Sequence, residues 1–245
     1  MILRLMSWNI HRAIGVDGRF RPERVIEVVR HHDPDVLLLQ EVDRDVPRSR
    51  RLRLDQLIAK EAGYPSHAWA QGHVLKEGSY GNATLSRFPI TKRRHLDLRI
   101  DWRKRRNALF TRLRLPGGLG HLHVFNWHLG LSAAERAKQV RRLLHTGTLT
   151  DLPESARVLI AGDTNDWRNL LFPTLMRPAG FHAWSEHGRR QHIRTYPSRR
   201  PVGALDKFFW RGPIGHEHIH ASKLRLARAA SDHLPLVAEF ELLKA

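Results

Sequence analysis

The chain has 245 residues, of which 41% are hydrophobic and 27% charged, values typical of a folded protein and not of a disordered one. It contains no cysteine, which excludes disulfides, thiolate zinc sites, iron–sulfur clusters and cysteine nucleophiles. Lys and Arg number 42 against 24 Asp and Glu, so the net charge is +18 and attraction to polyanions is predicted.

The first half of the chain has a mixed pattern of strands and helices. In order, it predicts a strand, a helix, a buried strand, a helix and four further strands: residues 2–9, 22–32, 35–41, 52–62, 67–75, 82–87, 92–100 and 107–115. Pro22 suits the first turn of the first helix, and Gly63 suits the end of the second.

The second half continues this alternation. It predicts a strand, a helix, a buried strand, a short helix and two strands: residues 120–127, 132–145, 157–163, 168–177, 205–210 and 235–243. Ser132 and Glu135 form a capping box at the start of the longer helix. Because no repeat or long linker interrupts the sequence, we expect one domain over residues 1–245. Paired strands between isolated helices predict an α/β (α+β) fold with mixed sheets covered by helices.

Much of the positive charge is clustered, and its partner is open at this point. Nucleic acid, an anionic membrane surface and small phosphorylated molecules all fit, as does a solvated arginine-rich face without a partner. Trp102, which precedes one cluster, could stack on a base or insert at a membrane interface. The clusters are Arg48, Arg50, Arg51 and Arg53; Arg103, Lys104, Arg105 and Arg106; Arg189 and Arg190; and Arg199 and Arg200.

Six strand-like segments run into polar residues that suit phosphate chemistry. Loops at strand ends commonly assemble sites in this way, because the sheet holds them rigidly. The segments are Ser7-Trp8-Asn9, Leu39-Gln40-Glu41, Asn126-Trp127-His128, Gly162-Asp163-Thr164-Asn165, Leu205-Asp206-Lys207 and Ser231-Asp232-His233.

Taken together, these segments resemble the endonuclease/exonuclease/phosphatase superfamily of DNase I-like phosphoesterases. The strongest pieces are Gln40-Glu41, Gly162-Asp163-Thr164-Asn165 and Ser231-Asp232-His233-Leu234-Pro235, which occur in the family's order. The resemblance runs from Asn9 to His233. It implies a four-layer sandwich, in which two mixed β-sheets lie face to face with helices outside.

The resemblance also implies a metal site. It makes Glu41 the main protein ligand of Mg²⁺, or of Mn²⁺, with Asn9 placing the metal and the phosphate and Asp232 contributing beside it. Oxygen ligands suit Mg²⁺, which keeps several waters and takes one or two carboxylates. The alternatives are an ion pair between Glu41 and a nearby arginine, and a capping role for Asn9.

The same resemblance assigns the reacting groups. Asp163 orients or deprotonates the attacking water, and Asn165 holds it and stabilises the pentavalent phosphorus; two residues apart in extended backbone, both would point to one side. His233 contacts the scissile phosphate or activates water, and Asp206 orients its ring. His128 stabilises phosphoryl oxygens or protonates the leaving group. Asn126 shares its face and is expected to bind substrate.

Other readings of these residues are weaker. Ser231, Asp232 and His233 are adjacent, so their side chains cannot form a hydrolase relay. A zinc site of His121, His123 and His128 is disfavoured because strand alternation puts His128 on the opposite face from the other two. His216, His218 and His220 share a parity and suit an exposed strand or turn that binds metal adventitiously. No phosphate-binding glycine loop is present, so no nucleotide cofactor is expected.

We therefore expect a Mg²⁺-dependent phosphoesterase that cleaves a phosphodiester by direct in-line attack of water, with nucleic acid as the substrate that best fits the charge. A phospholipid head group or a small phosphomonoester is the alternative of the same fold. A basic protein that binds polyanions without catalysis is the alternative of a different class. The sequence also leads us to expect a cytoplasmic monomer without a signal peptide or membrane span.

Overall fold

The computed structural model describes residues 1–184 and 192–243. Its strands are β1 (Ile2–Asn9), β2 (Val36–Arg44), β3 (Ser66–Val74), β4 (Ser79–Ser86), β5 (Ile90–Asp97), β6 (Asn107–Arg114), β7 (His121–His128), β8 (Arg157–Asp163), β9 (His182–Ala183), β10 (Asp206–Arg211), β11 (Ile214–Ala221) and β12 (Leu236–Leu242). Its α-helices are α1 (Pro22–His32), α2 (Leu54–Glu61), α3 (Ala133–Leu144), α4 (Gly147–Thr150) and α5 (Arg225–Ala230).

The strands form two mixed sheets of six strands each. Sheet 1 has the order β11-β12-β1-β2-β4-β3, and sheet 2 has the order β5-β6-β7-β8-β10-β9. The pair β1–β2 in sheet 1 is parallel, as is the pair β7–β8 in sheet 2, whereas the other pairs are antiparallel. The helices α1 and α3 lie in the connections of the parallel pairs, as parallel strands require.

Three apolar clusters define four layers. Alternate residues of both sheets meet in the middle, where Leu5 and Leu38 of sheet 1 share a cluster with Val124 and Leu159 of sheet 2. The outer face of sheet 1 packs on α1, α2 and α5, and that of sheet 2 packs on α3 and α4. Because strand side chains alternate, each inner strand contributes to both clusters it separates. The expected sandwich of two mixed sheets with helices outside is confirmed.

Buried amides also join the two sheets, between β2 and β4 on one side and β6 and β7 on the other. Gln40 Nε2 donates to Asn126 Oδ1 at 2.8 Å, and Asn82 Nδ2 donates to Asn107 Oδ1 at 2.8 Å. Asn126 Nδ2 in turn donates to the Ala83 carbonyl at 2.8 Å. We call Gln40, Asn82, Asn107 and Asn126 the amide seam. Its side chains are at most 3% exposed, so its hydrogen bonds fix how the sheets face each other.

The predicted elements agree with the structure within a few residues, with three differences. Strand β9 was not predicted, and β11 was expected only as an exposed strand or turn around its histidines. The helix expected over 168–177 is a single π-helical turn at Phe172–Met176, with Pro173 at its second position. The short helices α4 and α5 were not predicted, because four and six residues are too few to show a periodic apolar face. Arg189 and Arg190, expected to form a basic cluster, lie outside the described residues.

Two histidine groups test strand alternation. His123 is stacked near Phe110 on the outer face of sheet 2, whereas His128 is at the other face, as the argument against a zinc site required. In β11 the expected common face of His216, His218 and His220 is wrong. A bulge pairs His216 with Phe240 but His218 with Glu239, so His216 faces the opposite way from the other two.

In the part of the chain that the structure covers, no helix is both long and apolar enough to cross a membrane.

Candidate active site

Polar residues terminate the inward-facing rows of apolar side chains at one edge of the sandwich. In sheet 2, His128 at the end of β7 lies opposite Asp163 at the end of β8, and Asp163 lies opposite Asp206 at the start of β10. In sheet 1, Asn9 ends β1 beside Gln40 of β2. The parallel strands bring these residues to the same edge, because their carboxyl ends coincide. The structure therefore brings together side chains from distant parts of the sequence.

Gly162 allows Asp163 to reach this edge. Its φ is +140°, a conformation open to glycine, and a Cβ there would lie 2.0 Å from the carbonyl oxygen of Trp127. The close approach of β7 to β8 therefore depends on the absence of a side chain. This close approach explains why a glycine precedes Asp163 in the Gly162-Asp163-Thr164-Asn165 segment.

Asp163 Oδ2 is the point on which the site converges. Asn9 Nδ2 donates to it at 3.1 Å across the gap between the sheets. His128 Nε2 lies 3.4 Å from the same oxygen, and His233 Nε2 lies 3.7 Å from it. The amide of Asn9 is oriented in turn by the His11 backbone N–H, which donates to Asn9 Oδ1 at 3.1 Å.

His233 is held by contacts on both sides. Its Nδ1 lies 2.9 Å from Asp206 Oδ2, which also accepts a hydrogen bond from Thr195 Oγ1. The His233 backbone carbonyl accepts a hydrogen bond from Trp8 Nε1 at 2.9 Å, which holds the loop before β12 against β1. Because a carboxylate accepts, Nδ1 carries the proton in this pair and Nε2 faces Asp163.

Burial and charge move the pKa values of these groups in different directions. Burial opposes charge on His233, but the carboxylates of Asp206 and Asp163 outweigh it and raise the pKa of His233 to about 10. Burial raises the pKa of Asp163 to about 6, although His233 acts against it. Burial also lowers the pKa of His128 well below 6.5, with a further contribution from Arg106. At neutral pH the site thus holds one charged and one neutral imidazole beside a carboxylate.

Asn165 lies close to Asp163, but not by the geometry that the sequence predicted. The strand ends at Asp163, whose Oδ1 accepts the Asn165 backbone N–H at 2.9 Å, and Asn165 has a φ of +50°. This turn replaces the extended backbone that would have pointed both side chains one way. The Asn165 side chain donates to the Leu129 carbonyl at 2.9 Å and is 7% exposed.

The environment of Asn126 does not match the substrate-binding role expected for it. It is fully buried in the amide seam, where its Nδ2 donates to Leu39 and Ala83 carbonyls and its Oδ1 accepts from Gln40. Its polar atoms are occupied within the interface between the sheets. We interpret Asn126 as joining the sheets rather than touching substrate.

Glu41 lies on a bulge of β2 next to this edge. Leu39 pairs with Ala83 but Val42 with Gly81, so β2 holds one residue more than β4 at this point, and Glu41 has a φ of +55°. Its carboxylate lies 3.2 Å from Arg12 Nε and its side chain is 17% exposed. The arginine pair considered for this residue is therefore present, with Arg12 as the partner. The bulge turns Glu41 out of the alternation that buries Gln40.

Asp232 is half-buried beside His233, and its side chain contacts the Ser231 hydroxyl at 3.4 Å. Its backbone carbonyl accepts the Ser198 N–H at 2.7 Å, which fixes the loop that carries it. Its charge contributes to the raised pKa of His233.

Two sets of residues could hold a divalent ion. In the first, ligand atoms of Asp163, Asp206 and His233 all lie within 4.8 Å of one another. Its imidazole, however, is protonated at neutral pH and bound to Asp206, so it is a poor ligand. In the second, Glu41 offers a carboxylate partly open to solvent, and Asn9 lies one strand away. Oxygen donors with room for water fit Mg²⁺ better, so we favour the second set.

Two neighbours of His233 were missed by sequence reasoning. Thr195 hydrogen-bonds Asp206, and the ring of Tyr196 lies 4.8 Å from the His233 ring. Both belong to a loop without a strand or helix pattern, so no periodicity marked them. The sequence offers only their nearness to Asp206, which lies within twelve positions of both. Aromatic and hydroxyl residues are common in loops, so this nearness does not mark a site.

Comparison with known proteins agrees with this geometry. The model of the endonuclease/exonuclease/phosphatase family matches residues 6–233. The uncharacterized protein YbhP of Escherichia coli (strain K12) is 30% identical, over 98% of this chain and 96% of its own length.

Solved structures show the same fold. An endonuclease/exonuclease/phosphatase from Beutenbergia cavernae has a TM-score of 0.83 at 24% identity, covering 98% of this chain and 72% of that one. Danio rerio TDP2 complexed with a single-strand DNA product has a TM-score of 0.74 at 24% identity, covering 98% and 99%. The family model spans all six polar segments. This chain therefore belongs to the endonuclease/exonuclease/phosphatase family, whose members are phosphoesterase hydrolases.

Proposed function

We propose that this protein is a Mg²⁺-dependent phosphodiesterase that hydrolyses nucleic acid by direct in-line attack of water. The observation that carries the proposal is the convergence of Asn9, His128 and His233 on one buried oxygen of Asp163. Family membership supports phosphate-ester hydrolysis, and the net charge of +18 supports a polyanionic substrate.

Asp163 is the general base in this proposal. Its pKa of about 6 leaves it ionised at neutral pH yet more basic than an ordinary carboxylate. His233 is the alternative base, but an imidazole with a pKa of about 10 already holds its proton and cannot accept another. Asp163 takes a proton from water as the water oxygen bonds to phosphorus and the opposite P–O ester bond breaks.

The two histidines donate rather than accept. Nε2–H of the charged His233 neutralises a phosphoryl oxygen or protonates the departing oxygen, while Asp206 keeps the ring charged and oriented. The neutral His128 donates one N–H without adding charge. Asn165, within the turn at Asp163, and Asn9 complete the polar lining.

Glu41 and Asn9 would hold Mg²⁺, or Mn²⁺, with Asp232 as the further ligand expected from the family resemblance. When bound, the ion supplies positive charge for the phosphoryl oxygens. In the protein alone, Arg12 satisfies the Glu41 carboxylate.

An activity panel tests the proposal. The substrates are bis-p-nitrophenyl phosphate, p-nitrophenyl phosphate, plasmid DNA, RNA and anionic phospholipid, each with Mg²⁺ and with EDTA. We expect diester and nucleic-acid cleavage with Mg²⁺ only, and loss of about 10³-fold in Asp163→Asn and His233→Gln. The exposed Asp151→Asn and His95→Gln variants serve as matched controls.

Each other outcome has a defined meaning. Activity on p-nitrophenyl phosphate alone would replace the diesterase proposal with a phosphomonoesterase, and cleavage of phospholipid alone would replace nucleic acid as the substrate. DNA binding without any hydrolysis would indicate a non-enzymatic polyanion-binding protein. Retained activity in Asp163→Asn would contradict the role of that carboxylate.

A further inference from the structure

The connection between β5 and β6 reaches the same edge of the sandwich as the active site. It ends at Arg106, directly before Asn107 begins β6. Because Ala108 lies opposite Trp127 in the antiparallel pair β6–β7, the start of β6 adjoins the end of β7, where His128 lies. The Leu98 N–H donates to the Arg106 carbonyl at 2.9 Å and fixes the backbone at this point.

Arg106 is buried, unlike the rest of its basic cluster. It is 8% exposed, whereas the residues Asp101 to Arg105 are exposed. Within residues 1–184 and 192–243, its guanidinium has neither a hydrogen bond nor an ion pair. Other arginines around the site have carboxylate partners: Arg12 with Glu41, Arg48 with Asp43, Arg103 with Glu135 and Arg136 with Asp166.

The charge of Arg106 acts on the active site. After burial, it is the largest influence that lowers the pKa of His128, ahead of His233 and Lys104. Lys104, two residues earlier, lies over the Tyr80 ring at 5.2 Å, so the connection folds back towards sheet 1. The register of β6 with β7 places Arg106 two residues before the position opposite Trp127, and its charge influences His128 at the end of β7.

Among the described residues no carboxylate pairs with the Arg106 guanidinium, so this group is suited to bind an anion beside a phosphoesterase site. We propose that Arg106 binds the oxyanion of the substrate phosphate next to His128. This proposal deepens the proposed function and rests on it for the identity of the substrate. A guanidinium presents paired N–H donors that match two phosphate oxygens, and such charge-assisted bonds are stronger than neutral ones.

Binding of inorganic phosphate tests the proposal without catalysis. We expect wild-type protein in EDTA to bind phosphate, measured by ³¹P NMR titration, and Arg106→Gln to bind it at least about tenfold more weakly. Arg105→Gln removes the same charge from an exposed position of the same segment, and we expect its affinity to change less than about threefold. Equal affinity of Arg106→Gln and wild type, or absence of phosphate binding by wild type, would overturn the proposal.

Stability and kinetics separate ligand binding from a structural role. Because Arg106 makes no hydrogen bond or ion pair through its guanidinium among the described residues, we expect the Tm of Arg106→Gln to be unchanged, whereas a structural role predicts a lower Tm. On any substrate that wild type hydrolyses, we expect kcat/KM to fall by about 10²-fold in Arg106→Gln, with partial recovery in Arg106→Lys.

The two proposals fail in different ways. If the panel shows no hydrolysis while phosphate binding still depends on Arg106, the anion site stands and the phosphodiesterase does not. If hydrolysis occurs but neither phosphate affinity nor kcat/KM depends on Arg106, the phosphodiesterase stands and Arg106 is not its phosphate ligand.

Discussion

At the scale of single residues, environment decides what each ionisable group of the site can do. His128 and His233 are both 5% exposed and both face Asp163, yet burial leaves His128 neutral, while two carboxylates keep His233 charged. The difference arises from Asp206, which lies 2.9 Å from His233 Nδ1. Asp206 at the start of β10 thus sets the charge of a histidine in the loop before β12.

Asp206→Asn tests this origin of the His233 charge. Removing a negative charge removes stabilisation of the imidazolium, while burial continues to disfavour it, so we expect the pKa of His233 to fall towards or below that of a free imidazole. Titration of the ring nitrogens by NMR measures the change, and Asp151→Asn is the control. An unchanged pKa would mean that Asp163 and Asp232 hold the charge without Asp206.

The sequence predicted which residues form the candidate site, but it predicted their arrangement only in part. The family-like order of the segments predicted that Asn9, Asp163 and His233 meet at one edge of the sandwich. Asn9 and His233 lie 3.1 and 3.7 Å from Asp163 Oδ2. The turn at Asn165, however, depends on a side chain accepting from the backbone, which strand alternation does not report. Arg106 gave no signal either, because its burial within an otherwise exposed basic run depends on the tertiary fold.

At the scale of elements, strand alternation predicted the architecture and failed where strands bulge. Most strand bounds agreed because buried strands have long apolar runs between turn residues. The bulges at Glu41 in β2 and at Glu217 in β11 each insert one residue, and this reverses the face of everything beyond them. The order of strands within each sheet depends on contacts far apart in sequence, so it was not predicted. The family resemblance implied only two mixed sheets lying face to face.

Gly162 offers a test of how β8 is positioned. We expect Gly162→Ala to destabilise the protein by about 2 kcal/mol or more, because a methyl group would meet the Trp127 carbonyl in addition to the strain of the positive φ. Gly118→Ala is the matched control, since its φ is +72° with nothing within 4 Å. We expect that change to cost about 1 kcal/mol. Urea unfolding measures both, and equal losses would contradict the steric argument.

At the scale of the whole molecule, the chain has a net charge of +18, whereas its candidate active site contains buried carboxylates. Many arginines are paired with carboxylates near the site, so the long-range field comes from the excess of basic residues rather than from one contact. Such a field attracts a polyanion before any specific contact forms.

Salt dependence therefore distinguishes a nucleic-acid substrate from a small one. In EDTA, we expect the Kd for a single-stranded oligonucleotide to rise by about tenfold or more between 50 and 200 mM salt, because each neutralised phosphate releases counterions. The KM for any small phosphate ester that the enzyme cleaves should change much less over the same range. A Kd for the oligonucleotide that does not change with salt concentration would argue against recognition through the phosphate backbone.

The amide seam has a consequence for partly folded states of this protein. On one side of the candidate active site, sheet 1 and the loop before β12 carry Asn9, Glu41 and His233. On the opposite side, sheet 2 carries His128, Asp163 and Asp206. A species that retained all its strands but lost the amide seam and the apolar contacts between the sheets would let the two sides of the site move apart. Its circular dichroism would look native while turnover had ceased, so catalysis would be the earlier indicator of loosening.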